Sequence, residues 1–216
     1  MIETVGNHEF QYSDARHQSH TAISGMWLFL ASETLFFGAL FLAWIYARHW
    51  RLEGFDLGAR HTDMTLGTVN SVILITSSVI YAAGVLYAEA GNMRRLVQCC
   101  YAAMAVGVVF LLLKFGLEWH TDFSHHLFPG ADFPIKGAAR GGAQLFFVFY
   151  FMSTALHGLH MLIGLGLVLW IVVRAKRGEF TREYTTPVTV VGLYWAFVDM
   201  VWIVLYPLIY LIGRGA

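Results

Sequence analysis

The sequence predicts an all-α, polytopic membrane protein with five transmembrane helices in a bundle, and three observations carry that reading. Of the 216 residues, 57% are hydrophobic and only 13% charged. Mean hydropathy is +0.59, and the apolar share exceeds the ~45–50% of ordinary soluble domains. The apolar residues gather in five blocks, each longer than the ~20 residues that cross a ~30 Å hydrocarbon core at ~1.5 Å per residue. The dyad alternation in stretches of ~10 residues that marks a membrane β-barrel is absent.

Taken in order, residues 1–22 are polar and read as a tail, followed by one membrane domain over 23–213. The first block, 23–47, is too long for the apolar region of a cleaved signal and reads as a retained anchor. The second covers 66–88. The third, 96–117, opens near Cys99 and Cys100, a vicinal pair without zinc or redox spacing, expected to be ordinary buried small residues. After it comes the longest connection, "EWHTDFSHHLFPGADFPIKGAARGG", whose prolines and glycines predict irregular surface structure. His120, His125 and His126 with Asp122 read there as a surface metal site or as a solvated loop. The lack of rigid ligand spacing favours the loop. The fourth and fifth blocks cover 143–173 and 187–212. Gly25, Gly38, Gly84, Gly107, Gly158, Gly164 and Gly166 recur through the blocks, and small residues let helix backbones approach when lipid is the solvent. No internal repeat or low-complexity tract appears.

Formal net charge is zero, so no basic excess argues for nucleic acid. Seven basic residues (Arg16, Arg94, Arg95, Arg174, Lys176, Arg177, Arg182) share the N-terminal side, against six opposite (Arg48, Arg51, Arg60, Lys136, Arg140, Arg214). The two short loops 89–95 and 174–186 hold six of the seven, and basic residues close to span ends dominate the positive-inside rule. The N-terminus is therefore expected inside and the C-terminus outside.

Ionisable groups at membrane depth are costly unless paired, which makes each a candidate functional residue. Glu33 lies ~15 Å into the first block and Asp199 ~18 Å into the fifth, by helical rise. His157 and His160 stand mid-way along the fourth, in "MSTALHGLHMLIGLG". A buried carboxylate needs a donor, so a Glu33–histidine hydrogen bond is expected, with Asp199 capped by Trp, Tyr or Ser. Lys114 and Glu118, four apart near the end of the third block, are expected to pair at the membrane interface. Positions i and i+3 point within ~60° of each other, so His157 and His160 cannot flank a haem from opposite faces. A bundle dimetal site needs Glu-x-x-His twice with further carboxylates, and the second motif is missing. No metal or haem site is expected on this chain. The histidines read either as a structural or lipid-contacting pair, or as a step in proton transfer.

Four stretches together resemble subunit III of the haem-copper terminal oxidases, from about Gly25 to Gly213. "GMWLFLASETLFF" is similar to that family's G-M-x-L-F-x-x-S-E-x-x-F-F signature. "TVNSVILITSS", "LHGLHMLIG" and "YWAFVDMVWIVLYPLIYL" resemble its asparagine–serine helix, its H-G-L-H-x-x-x-G motif and its C-terminal helix. Five spans match the shorter bacterial members. The resemblance implies a cofactor-free subunit in the bacterial cytoplasmic membrane, packed on a catalytic subunit I that carries haem and copper. It implies stabilisation of that subunit, phospholipid held in a cleft, contact with other oxidase subunits, and a place in reducing oxygen to water. It also implies a buried-acid role for Glu33 with His157 and His160 beside it. It further implies oxygen or proton traffic along Glu33, His157, His160 and Asp199, and lipid contact by Glu33 and His160 with a head-group role for Arg174. Cytochrome c is the favoured donor; a quinol oxidase or nitric oxide reductase accessory subunit is the alternative.

The sequence departs from the family pattern twice. Ala196 stands where the family has His, and Phe115 where it has a polar residue, which neighbouring Lys114 is expected to replace. A histidine-box or di-haem enzyme would need more ligands at depth. A small transporter would show repeats or broken helices around a midplane site.

Overall fold

The structure, a computed structural model, describes residues 15–214, with side chains from His17 onward. Seven α-helices follow in order: α1 (Ala15–Trp50), α2 (Leu52–Arg60), α3 (Met64–Glu89), α4 (Met93–Leu111), α5 (Trp119–Ser124), α6 (Arg140–Lys176) and α7 (Thr186–Tyr206). A π-helical stretch, Leu112–Glu118, joins α4 to α5 without a break, and a second, Pro207–Leu211, ends α7. Five helical segments among the described residues are long and apolar enough to cross a membrane. This is a multi-pass membrane protein, as the five blocks predicted.

Helix ends run past the apolar blocks because polar residues at a membrane surface continue a helix freely. Thus α1 begins at Ala15, inside the stretch read as tail, while residues 1–14 lie outside the described residues. Asp63 caps α3 by accepting from the Thr65 and Leu66 amides at 2.9 and 3.1 Å. Asn92 caps α4 by accepting from the Arg95 amide at 3.2 Å. Between them Gly91 takes φ +81°, a left-handed turn that glycine adopts without strain. The short helix α2, which the sequence reading did not anticipate, lies against α6. A Cβ on Gly54 would stand 2.5 Å from the Gly142 Cα, so the two backbones are in direct contact.

Helix α7 is the centre of the bundle and α1 its outlier. In their most apolar windows, 56% of residues are buried in the α7 segment against 17% in the α1 segment. The core around α7 contains Tyr81, Phe110, Trp195 and Trp202, all almost fully enclosed. Helix α1 is tied on at intervals. Thr186 donates to the Ser19 hydroxyl at 3.0 Å, Trp44 meets the Phe55 ring at 5.4 Å, and Arg48 pairs with Asp56 at 2.7 Å.

The glycine stripe is only partly a packing device. Gly84 faces Cys99, Gly158 faces the Phe115 ring, and Gly107 and Gly164 face the Trp195 indole. Gly25, Gly38 and Gly166 have open space beside them. Cys100 is buried and Cys99 half-buried, both as free thiols.

The Lys114–Glu118 pair exists, at 2.9 Å, but its side chains are only 1% and 2% exposed. The expected pair is thus made, with both side chains shut inside the protein. The chain is π-helical there, and an i→i+5 turn is wide enough to bring residues four apart close to eclipsing. Both groups consequently turn into the bundle. At the other π stretch the cause is local, since Pro207 has no N–H to donate and its ring crowds the preceding turn.

Candidate functional site

Glu33 on α1 and His160 on α6 meet at 3.2 Å, Oε2 to Nε2, across the seam between the outlying helix and the bundle. The expected Glu–His contact is thus made, and by His160 alone. Its other nitrogen, Nδ1, lies 2.8 Å from the Leu156 carbonyl. A carbonyl only accepts, so Nδ1 carries a proton. The neutral ring then leaves Nε2 as an acceptor, and Glu33 must supply the hydrogen as a carboxylic acid. The charged alternative is an imidazolium facing a carboxylate. Either way the pair is neutral overall and holds one proton between its two members. Phe37, at 5.2 Å from the imidazole centroid, closes one side, and Tyr194 donates to the His160 carbonyl at 3.1 Å.

His157 and Asp199 do not join this pair. His157 points into the bundle between Phe110 and Trp202, with ring centroids at 5.6 and 5.1 Å, and neither nitrogen has a hydrogen-bond partner. Asp199 is 4% exposed, buried on α7. Of the expected Trp, Tyr or Ser donors, it is Ser78 on α3 that faces the carboxyl. Ser78 and Ala196 both line a cavity of about 310 Å³ between α3 and α7. The indole of Trp202, one turn further along α7, donates to Ser71 at 3.0 Å.

A second polar cluster lies where the sequence reading saw a surface pair and a loop. Lys114 Nζ donates to Glu118 Oε1 at 2.9 Å, to the Tyr210 hydroxyl at 2.7 Å and to the Tyr150 hydroxyl at 3.1 Å. Three ammonium hydrogens therefore find three acceptors. Tyr210 donates to Glu118 at 2.5 Å, and the Tyr150 hydroxyl lies 2.7 Å from Asp122 Oδ2 and 3.0 Å from Glu118 Oε1. Asp122, read as part of a solvated loop, is buried, whereas His120, His125 and His126 are exposed as expected. The missed signal was the spacing Lys114, Glu118, Asp122, four apart twice over, which stacks three ionisable groups on one helix face. Phe115, one residue on from Lys114, packs its ring over Gly158 and leaves the polar role to Lys114. Among the described residues, no group of three or more His, Cys, Asp and Glu is placed to hold a metal ion.

Toward the N-terminal side, α1 stands off from α6 and α7 and leaves a groove of about 830 Å³. Met26, Leu167, Trp170, Tyr184, Pro187 and Val191 are among the residues lining it. Arg174 stacks on Trp170, a wall of the groove, at 4.8 Å, and on Phe180 at 5.2 Å. Its Nε donates to Glu179 at 2.5 Å.

The sequence profile of cytochrome c oxidase subunit III matches residues 5–214. The chain belongs to the cytochrome c oxidase subunit III family. It is 28% identical to cytochrome c oxidase subunit 3 of Thermostichus vulcanus, covering 96% of this chain and 92% of that one. It is 26% identical to quinol oxidase subunit 3 of Bacillus spizizenii, covering 92% of each. A haem-copper oxidase subunit I+III of Aeropyrum pernix is 27% identical over 88% of this chain, which matches 22% of that longer protein. This is therefore a subunit III of a haem-copper oxidase of the cytochrome c or quinol type. Two subunit III motifs distant in sequence, the acid of "SETLFF" and the second histidine of "HGLH", are the residues that bond across α1 and α6.

Proposed function

We propose that this chain stabilises a haem-copper catalytic subunit and retains phospholipid, without redox chemistry of its own. The supporting observation is the groove between α1 and the bundle. Its lining is chiefly apolar, and a guanidinium stands at its rim against Trp170. An acyl chain fits such a wall, and Arg174 can exchange its Glu179 partner for a phosphate, which guanidinium binds in a bidentate manner. The Glu33–His160 bond fastens the two walls deeper in the membrane, which keeps α1 at a fixed angle.

The partner in this reading is subunit I, the source of haem and copper; a relative carrying subunits I and III in one chain supports that pairing. Cytochrome c is the donor proposed, quinol the second reading, given the similarity to a quinol oxidase subunit. The complex would sit in a bacterial cytoplasmic membrane with the N-terminus inside, and would reduce oxygen to water.

The test is purification in mild detergent, followed by lipid extraction and by turnover with and without this chain. Co-purification with a haem-bearing large subunit is expected, with bound phospholipid reduced several-fold in Arg174→Ala. Removing the chain should shorten the working life of the complex far more than it slows initial turnover. An equally durable stripped complex, or unchanged lipid in the variant, would refute the corresponding half of the proposal.

A further inference from the structure

The buried cluster holds two carboxylates, Glu118 and Asp122, and one ammonium, Lys114. With all three ionised it would carry a charge of −1 in a nearly closed, low-dielectric setting, and an uncompensated buried charge is strongly disfavoured. One further proton makes it neutral. Tyr150 connects the two acids, with its hydroxyl 2.7 Å from Asp122 and 3.0 Å from Glu118. Glu118 Oε2 is buried with no partner, a free seat for a hydrogen. Asp122 also lines a surface cavity of about 270 Å³ with His61, Thr121, His125, Leu127 and Pro134.

We propose that Lys114, Glu118, Asp122, Tyr150 and Tyr210 form a one-proton binding site, loaded from the surface cavity through Asp122 and shared with Glu118 through Tyr150. The transfer balances. Asp122 acid gives its proton to the Tyr150 oxygen as Tyr150 gives its own to Glu118, so the phenol is neutral before and after. His125 and His61 border the cavity, Lys114 and Tyr210 close the inner face, and Asp63 is a further charge near Tyr210. The site fastens the end of α7 to α4 and α6, so its proton bears on how that corner of subunit III is held. This inference is independent of the lipid proposal.

Infrared spectroscopy of the purified complex, comparing wild type with single variants, tests it. A protonated-carboxyl C=O band is expected in wild type at neutral pH. In difference spectra the cluster's contribution to that band should be lost in Asp122→Asn and equally in Glu118→Gln, because either change leaves one cation facing one anion with no need for the extra proton. Tyr150→Phe keeps the charge count, so its band should persist at a shifted frequency. That variant serves if another fails to assemble. In D₂O the wild-type band should shift at once. No band distinguishing wild type from either variant would overturn the proposal, as would a band lost in only one of the two. A band that resists D₂O for hours would overturn loading from the surface.

Discussion

At Glu33 and His160 the hydrogen-bond roles are set by a third atom, the Leu156 carbonyl, which commits Nδ1 to donation and leaves Nε2 to Glu33. Glu33→Gln presents an amide N–H to that nitrogen and should keep the bond, shifting the thermal midpoint little. Glu33→Ala strands a half-buried imidazole nitrogen and should cost about 1–3 kcal/mol. Thermal denaturation of the purified complex separates the two; equal losses would show that the bond is not what matters at this position. Gly158 makes a second residue-scale prediction, since a Cβ there would stand 2.4 Å from the Phe115 ring. Gly158→Ala should cost about 1–3 kcal/mol by overpacking, and Phe115→Leu beside it should recover much of that. The sequence placed both sites at membrane depth. It could not say which histidine turns to α1, because a 60° difference on one helix has meaning only against a neighbour.

At the scale of elements, contacts between backbones decide which glycines matter. Helix α2 rests on α6 at Gly54 and Gly142 with no room for a methyl group, while Gly38 on α1 faces open space. Gly54→Ala should destabilise by more than about 2 kcal/mol, since the opposing atoms are main chain and cannot repack. Gly38→Ala should be neutral or stabilising by up to about 1 kcal/mol, because alanine relieves the entropy that glycine costs a helix. Melting curves should therefore show a clear loss for Gly54→Ala and none for Gly38→Ala. The π-helical stretch between α4 and α5 makes a third case. Lys114→Met leaves two buried carboxylates without their cation and should cost about 3–5 kcal/mol. Loss of expression or an early melting transition is the readout, and a native-like melt would contradict the buried network.

For the molecule as a whole, the lopsided burial of α1 and α7 matters most. A helix with most of its surface outside its own fold is held by few contacts, among them Glu33–His160, Arg48–Asp56 and Ser19–Thr186. Cutting the first and second together should loosen α1 more than the sum of the single changes suggests, because they fasten one rigid rod at two heights. Protease sensitivity near the break between α1 and α2 at Arg51, measured for the single and double variants, checks that coupling. The loop arginines predict a cytoplasmic N-terminus. Single cysteines introduced into the 125–139 loop should therefore react with an impermeant thiol reagent added outside intact cells, and those in the 89–93 loop should not.

Sequence alone determined the class, the five spans and their order. Those follow from hydrophobic length and from the rise of a helix, both local quantities. Tertiary structure decided which polar residues meet. Two outcomes, Asp122 buried and Lys114 and Glu118 turned into the bundle, share one cause. Both depend on helix rotation and on a π-turn that shifts the helical phase, and rotation is fixed only when neighbouring helices pack.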